Sequence, residues 1–179
     1  MDMKARLKKA TDKINSALSI PTGEAPDERD VLDTLKEEHD EVQELLSDLV
    51  ESENLGERKS LLKQVKMALI PHTKAEERTV YDAVIAARGR KNQVDGAEGY
   101  LEHALASQTL TKLGKIAPVT SPEFTATAKV LKELVDHHIQ EEEKNIWSDV
   151  REHFDGDARI AMNRRFLAAK KRIKVPNGS

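Results

Sequence analysis

The 179-residue chain contains no cysteine, which excludes disulfide staples and thiolate metal sites together. Aromatic residues are scarce at 3%, β-branched runs are few, and no Asn-Gly or Asp-Gly turn joins alternating apolar segments. The signals of a β-protein are therefore missing. No apolar run approaches the roughly 18 residues that a membrane helix needs, so no membrane span is expected. The opening MDMKARLKKA is charged but has no apolar stretch or small-residue cleavage site behind it, so no secretion signal is read and the expected compartment is the cytoplasm.

What is present is helical periodicity and charge. Hydrophobic residues make up 38% and charged residues 34%, a balance that suits one soluble domain with a core of its own. An amphipathic opening helix is expected over residues 1–20, with Met3, Leu7, Ala10, Ile14 and Ala17 at helical spacing, ending at Pro21–Pro26. A domain over 28–153 follows, made of four long helices. The first, capped by Asp27 or Asp30, carries Leu32, Leu35, Val42, Leu46 and Leu49 on one face. The second runs from about Glu57 to Ala87, with a bend expected at Pro71. After a loop at 88–93 the third presents Tyr100, His103, Ala106, Leu110 and Leu113. The fourth, over roughly 122–153, presents Leu131, Leu134, Val135 and Ile146. A short basic helix over 156–174 closes the chain, and 176–179 read as a loose end. The fold class is all-α, an up-down-up-down four-helix bundle with additional short N- and C-terminal helices.

Net charge is −3, unevenly spread. Residues 1–20 hold five basic side chains against two acidic, residues 157–174 hold seven against one, and the body between carries the acidic excess. The basic ends either lie on the acidic body or serve contact with nucleic acid, anionic lipid or an acidic partner, or self-association. Phe166 is the only aromatic in them, so sequence-specific recognition of nucleic acid by base stacking is not expected.

Two copies of one pattern, His72-x-x-x-Glu76 and His138-x-x-x-Glu142, stand 66 residues apart, each with a lone histidine upstream, His39 and His103. Residues four apart share one helix face, so each histidine and glutamate can close on the same ion or on two adjacent ions. Imidazole nitrogen with carboxylate oxygen suits iron, manganese or zinc. Two carboxylates able to bridge point to a dinuclear centre. The copies also agree at Glu77 and Glu143, at Val80 and Ile146, and at the aromatics Tyr81 and Trp147. That alignment selects His138 over His137, whose own partner Glu141 would put the aliphatic and aromatic positions out of step. His137 falls on the rim side of its helix, and with Glu141 it is a candidate for proton transfer. Glu77 and Glu143 either orient ligands or face water. Tyr81 and Trp147, nine residues past their histidines and half a turn round, read as packing anchors. Buried carboxylates need cations, and all four apolar stripes are interrupted by the proposed ligands.

The ordered set His39, His72-x-x-x-Glu76, His103, His138-x-x-x-Glu142 resembles the hemerythrin-like family, also called the HHE cation-binding domain, over about residues 28–153. The resemblance implies a non-haem pair of iron ions cycling between Fe2+ and Fe3+, oxo- or hydroxo-bridged, with Glu76 and Glu142 bridging and the histidines as terminal ligands. Manganese or zinc remains open for the protein as isolated. Oxygen carriers of the family place His-x-x-x-His on the third helix, whereas Ser107 stands four residues after His103 here, and they space the last carboxylate at five residues instead of four. Fewer protein ligands leave more positions for O2, H2O2 or NO, or for a further carboxylate such as Glu102. The expected function is binding of O2 or H2O2 with catalase-like or ferroxidase-like reaction. The alternatives are an O2, NO or iron sensor or carrier without turnover, and repair of nitrosatively damaged iron centres, for which related proteins use a cysteine-bearing segment. Ferritin-like storage is disfavoured, because those bundles use Glu-x-x-His spacing.

Overall fold

The computed structural model describes residues 28–87 and 89–176, and every regular element among them is helical. In chain order these are α1 Val31–Glu51, α2 Leu55–Glu76, a π-helical segment Glu77–Tyr81, α3 Asp82–Ala86, α4 Arg90–Leu113, α5 Pro122–Glu141, a second π-helical segment Glu142–Ile146, α6 Trp147–His153 and α7 Gly156–Lys170. The expected helix at 1–20, the alternative cap Asp27 and the end at 177–179 lie outside the described residues.

Side-chain caps set the starts. Asp30 Oδ1 accepts from the Leu32 amide, Asn54 from Gly56 and Glu57, Ser121 from Phe124, and Asp155 from Ala158. Each satisfies amide donors that a first helical turn leaves without partners. Pro122 follows Ser121 at a position where its missing N–H costs nothing. Helix α2 continues through Pro71 to Glu76. Helix α4 begins at Arg90, inside the stretch read from sequence as a loop. Gly89, at φ 147°, turns the chain in one residue, and the Asn92 side chain is held by His153 at 2.8 Å.

Apolar side chains form two clusters. One contains Val42, Leu46, Leu49, Leu61, Val65, Leu110, Leu113, Phe124 and Leu131; the other contains Val31, Leu35, Val80, Tyr81, Val84, Ile146, Trp147, Val150, Met162 and Phe166. Helix α1 leaves the second cluster and ends in the first, α2 does the reverse, and α5 again runs from the first toward the second. Helix α1 packs on α2, α5 and α7, while α4 packs on α5. Helix α7 closes the second cluster with Met162 and Phe166, both fully buried, each side chain contributing about 1.5–3 kcal/mol by leaving water. Arg159 ties the same helix to Asp30 at 2.6 Å.

A candidate metal centre between two apolar clusters

Histidines and glutamates occupy the level at which one apolar cluster gives way to the other. On α1, His39 lies between Leu35 and Val42; on α2, His72 and Glu76 flank Ala75; on α5, His138 follows Val135. His39, His72, His103, His138, Glu76 and Glu142 are all buried, with Glu76 at 0% exposure and Glu142 at 2%.

Glu76 Oε2 lies 3.4 Å from Nε2 of His72 and 3.4 Å from Nε2 of His103. Glu142 Oε2 lies 3.3 Å from Nε2 of His138 and 3.4 Å from Nε2 of His39. Each carboxylate thus joins one histidine from each half of the repeat. Two groups offer ligand atoms within 4.8 Å of one another, His39 with His72 and Glu76, and Glu76 with His103 and His138, so Glu76 belongs to both. Both Glu76 oxygens, Glu142 Oε2 and His39 Nε2 are buried without a hydrogen-bond partner. Leaving buried carboxylate oxygens so costs several kcal/mol unless a cation meets them. The spacing fits an ion as well. Two ligands on bonds of about 2.1 Å, at tetrahedral or octahedral angles, stand roughly 3.0–3.4 Å apart.

The opposite nitrogen of each of these four histidines meets a carboxylate. His39 Nδ1 is 3.1 Å from Glu143, His72 Nδ1 is 2.9 Å from Glu38, His103 Nδ1 is 3.2 Å from Glu77, and His138 Nδ1 is 2.7 Å from Glu102. Such partners fix each ring and direct its Nε2 to the centre. The repeat therefore extends to a Glu-His pair and a His-x-x-x-Glu-Glu run, written twice. Glu38 escaped the sequence reading, although its position one residue before His39 matches that of Glu102 before His103. Glu102 supports His138 from outside the centre.

Burial lowers the proton affinity of the His39, His72 and His138 imidazoles, and the carboxylates beside them more than restore it. His72 is pushed up to about 9 by Glu76 and Glu38, and His138 to about 10 by Glu102 and Glu142. Glu38 is held down to about 2 because His72 and Lys170 outweigh its burial.

Tyr81 and Trp147 sit against the histidines and Glu142, a correction to their reading as packing anchors half a turn round the helix. The Tyr81 hydroxyl is 3.4 Å from Nε2 of both His103 and His138, and its ring stacks on His103. Trp147 donates from Nε1 to Glu142 Oε1 at 3.2 Å and stacks on His39. The cause is the pair of π segments. Nine residues of unbroken α-helix turn a side chain about 180° away, whereas one extra residue taken up in a π turn leaves roughly 80°. In the first segment the Thr79 hydroxyl donates to the Ala75 carbonyl at 2.7 Å. His137, by contrast, keeps 66% of its side chain exposed, with Nε2 3.6 Å from Glu102.

A model of the hemerythrin HHE cation binding domain matches residues 30–150. The chain belongs to the hemerythrin HHE family. Its buried histidines and glutamates include groups that could hold a metal ion, in keeping with the cation binding in the family's description. Among curated proteins, this HHE chain is similar to one named DNA nickase from Nostoc sp. (strain PCC 7120 / SAG 25.82 / UTEX 2576), at 24% identity over 171 residues. The match takes in 94% of this chain and 48% of the relative, so the chain spans about half the length of that protein. No solved structure matches it.

Proposed function

We propose that the protein is a non-haem di-iron member of the family, an up-down-up-down four-helix bundle that binds O2 or H2O2 and reacts with it. The observation that carries this reading is the sharing of Glu76 between two histidine pairs, with Glu142 spanning the same halves. His39 and His72 would hold one ion, His103 and His138 the other, and both carboxylates would bridge. Bound there, two iron ions supply one-electron redox chemistry and coordination positions open to a small molecule.

The chain's own groups shape that chemistry. On the core side of the four histidines, a cavity of about 10 Å³ is walled by Val42, Leu69, Ala106, Val135 and Ile139. It suits a molecule about the size of one water. Tyr81 presents its hydroxyl to Nε2 of His103 and His138 from outside this cavity, and burial beside Glu142 and Glu76 raises its pKa well above the ordinary range, so the proton stays on Oη at neutral pH. It is the group placed to donate a hydrogen bond, and to supply a proton, beside His103 and His138. Trp147 holds Glu142 Oε1, which leaves Oε2 for the centre.

Protein loaded anaerobically with Fe2+ and given H2O2 tests the reaction. Catalase-like turnover releases one O2 for each pair of peroxides consumed. Two irons without O2 release would favour a sensor or carrier.

The sensor reading has one observation of its own. Phe166 stands against the His72 ring at 6.0 Å and Lys170 pairs with Glu38 at 2.6 Å, so α7 rests directly on the centre. Arg165, Lys171, Arg172 and Lys174 are exposed on and just beyond this helix. The relative named DNA nickase gives an acidic partner a chemical class, a phosphate backbone contacted without sequence readout. Binding to an unrelated DNA duplex that weakens steeply with salt would support this second reading.

A further inference from the structure

The two halves of the centre are enclosed differently. Around His39 and His72 both outer carboxylates carry a lysine, Lys36 at 3.3 Å from Glu143 and Lys170 at 2.6 Å from Glu38. The rings of Trp147 and Phe166 close that half. Around His103 and His138, no lysine or arginine among the described residues pairs with Glu77 or Glu102. A cleft opens on this side between α4 and the end of α5.

Asp95, Glu98 and Glu102 from α4 and Glu141 from α5 line the walls of the cleft. They fall at helical spacing on facing surfaces. Tyr81, His138 and Glu142 form its floor. Among the described residues, basic groups reach only the rim. Lys91 pairs with Asp95 at 2.6 Å and Lys144 stands 3.9 Å from Glu141, with side chains 62% and 73% exposed. At the floor, Glu142 Oε2 is buried with no hydrogen-bond partner. An acidic passage therefore ends on an unsatisfied carboxylate oxygen.

We propose that this cleft is the route by which a hydrated divalent cation reaches the centre, a step that rests on the di-iron reading above. Glu98 and Glu141 capture the cation, Glu102 lies one helical turn deeper, and Glu142 Oε2 receives it. A cleft lined by one sign of charge between low-dielectric walls concentrates counter-ions and raises their rate of entry. The His103/His138 position then fills and empties before the enclosed His39/His72 position.

Stopped-flow loading of the metal-stripped full chain with Fe2+ under argon tests the route. Trp147, the only tryptophan, reports through fluorescence from its place on His39. The double variant Glu98→Lys/Glu141→Lys should load about tenfold or more slowly, respond less to added salt, and still bind two ions at equilibrium. The variant Glu44→Lys, an exposed carboxylate on α1, should load at the native rate. Far-UV circular dichroism verifies folding of each variant. Native-rate loading of the double variant, or equal slowing by Glu44→Lys, overturns the route while two bound ions preserve the di-iron reading. Absence of any Fe2+ uptake by the native chain overturns both. Chelator release from the native protein should show two phases of one ion each, and a single phase would contradict the inequivalence of the halves.

Discussion

Glu38 lies 2.9 Å from Nδ1 of His72, and Glu102, at the matching position in the second half, lies 2.7 Å from Nδ1 of His138. In both halves the residue just before one lone histidine supports the histidine of the following His-x-x-x-Glu run. The outer partners are thus duplicated along with the inner ones, as expected if ring orientation is part of what the repeat encodes.

Replacing either outer carboxylate should weaken metal binding without removing an inner ligand. Glu38→Gln and Glu102→Gln are each expected to lower affinity for one of two ions by about 10–100-fold. Chelator competition checks this, and unchanged affinity in both variants would contradict the orienting role.

Tyr81→Phe keeps the ring against His103 and deletes only the hydroxyl. Metal content should stay at the native value while peroxide turnover falls, by about 100-fold if the hydroxyl serves as proton donor. Measuring iron and O2 evolution on one preparation separates the two effects. Equal loss of iron and turnover would instead assign Tyr81 a packing role.

Removal of the ions should destabilise the fold, because four buried oxygen and nitrogen atoms then lose their cation. At an ion concentration a thousandfold above Kd the linkage amounts to about 4 kcal/mol. Thermal unfolding of stripped and loaded protein gives the shift. Hydrogen exchange should locate part of the change in α7, which meets the centre through Phe166 and Lys170.

Two glycines make a paired test of packing. A Cβ on Gly99 would stand 2.7 Å from Cε2 of the buried Tyr81 ring, whereas one on Gly156 would meet nothing within 4 Å. Gly99→Ala should cost about 1–3 kcal/mol and Gly156→Ala should be neutral or stabilising by up to about 1 kcal/mol. Denaturant titration checks both, and a neutral Gly99→Ala would show that Tyr81 is free to move.

The burial of the ordered histidines and glutamates in one cluster was legible because polar residues facing inward from helices leave a period in the sequence, interrupting stripes that would otherwise be apolar. The choice of His138 over His137 came from the internal repeat, and the structure brings His138 Nε2 to Glu142 while leaving the His137 side chain largely in solvent. The role of Tyr81 and Trp147 was not legible, because a π turn changes the phase of a helix without a marker in residue type. The one available hint was that both copies keep an aromatic at the same offset. Glu38 was missed for a related reason: an outer partner is set by the packing of two helices, which no periodicity within one helix reveals. The start of α4 was placed too late because Arg90, Lys91 and Gln93 look like a polar loop, while Gly89 and the bond from Asn92 to His153 begin the helix there.

The most direct test of the shared-carboxylate centre is Mössbauer and electron paramagnetic resonance spectroscopy of protein loaded with 57Fe and oxidised, together with the iron count per chain. Two irons in one antiferromagnetically coupled, resonance-silent ferric pair are expected, with the coupling lost in Glu76→Ala. One iron per chain, or an isolated high-spin ferric signal at native stoichiometry, would contradict the bridged centre.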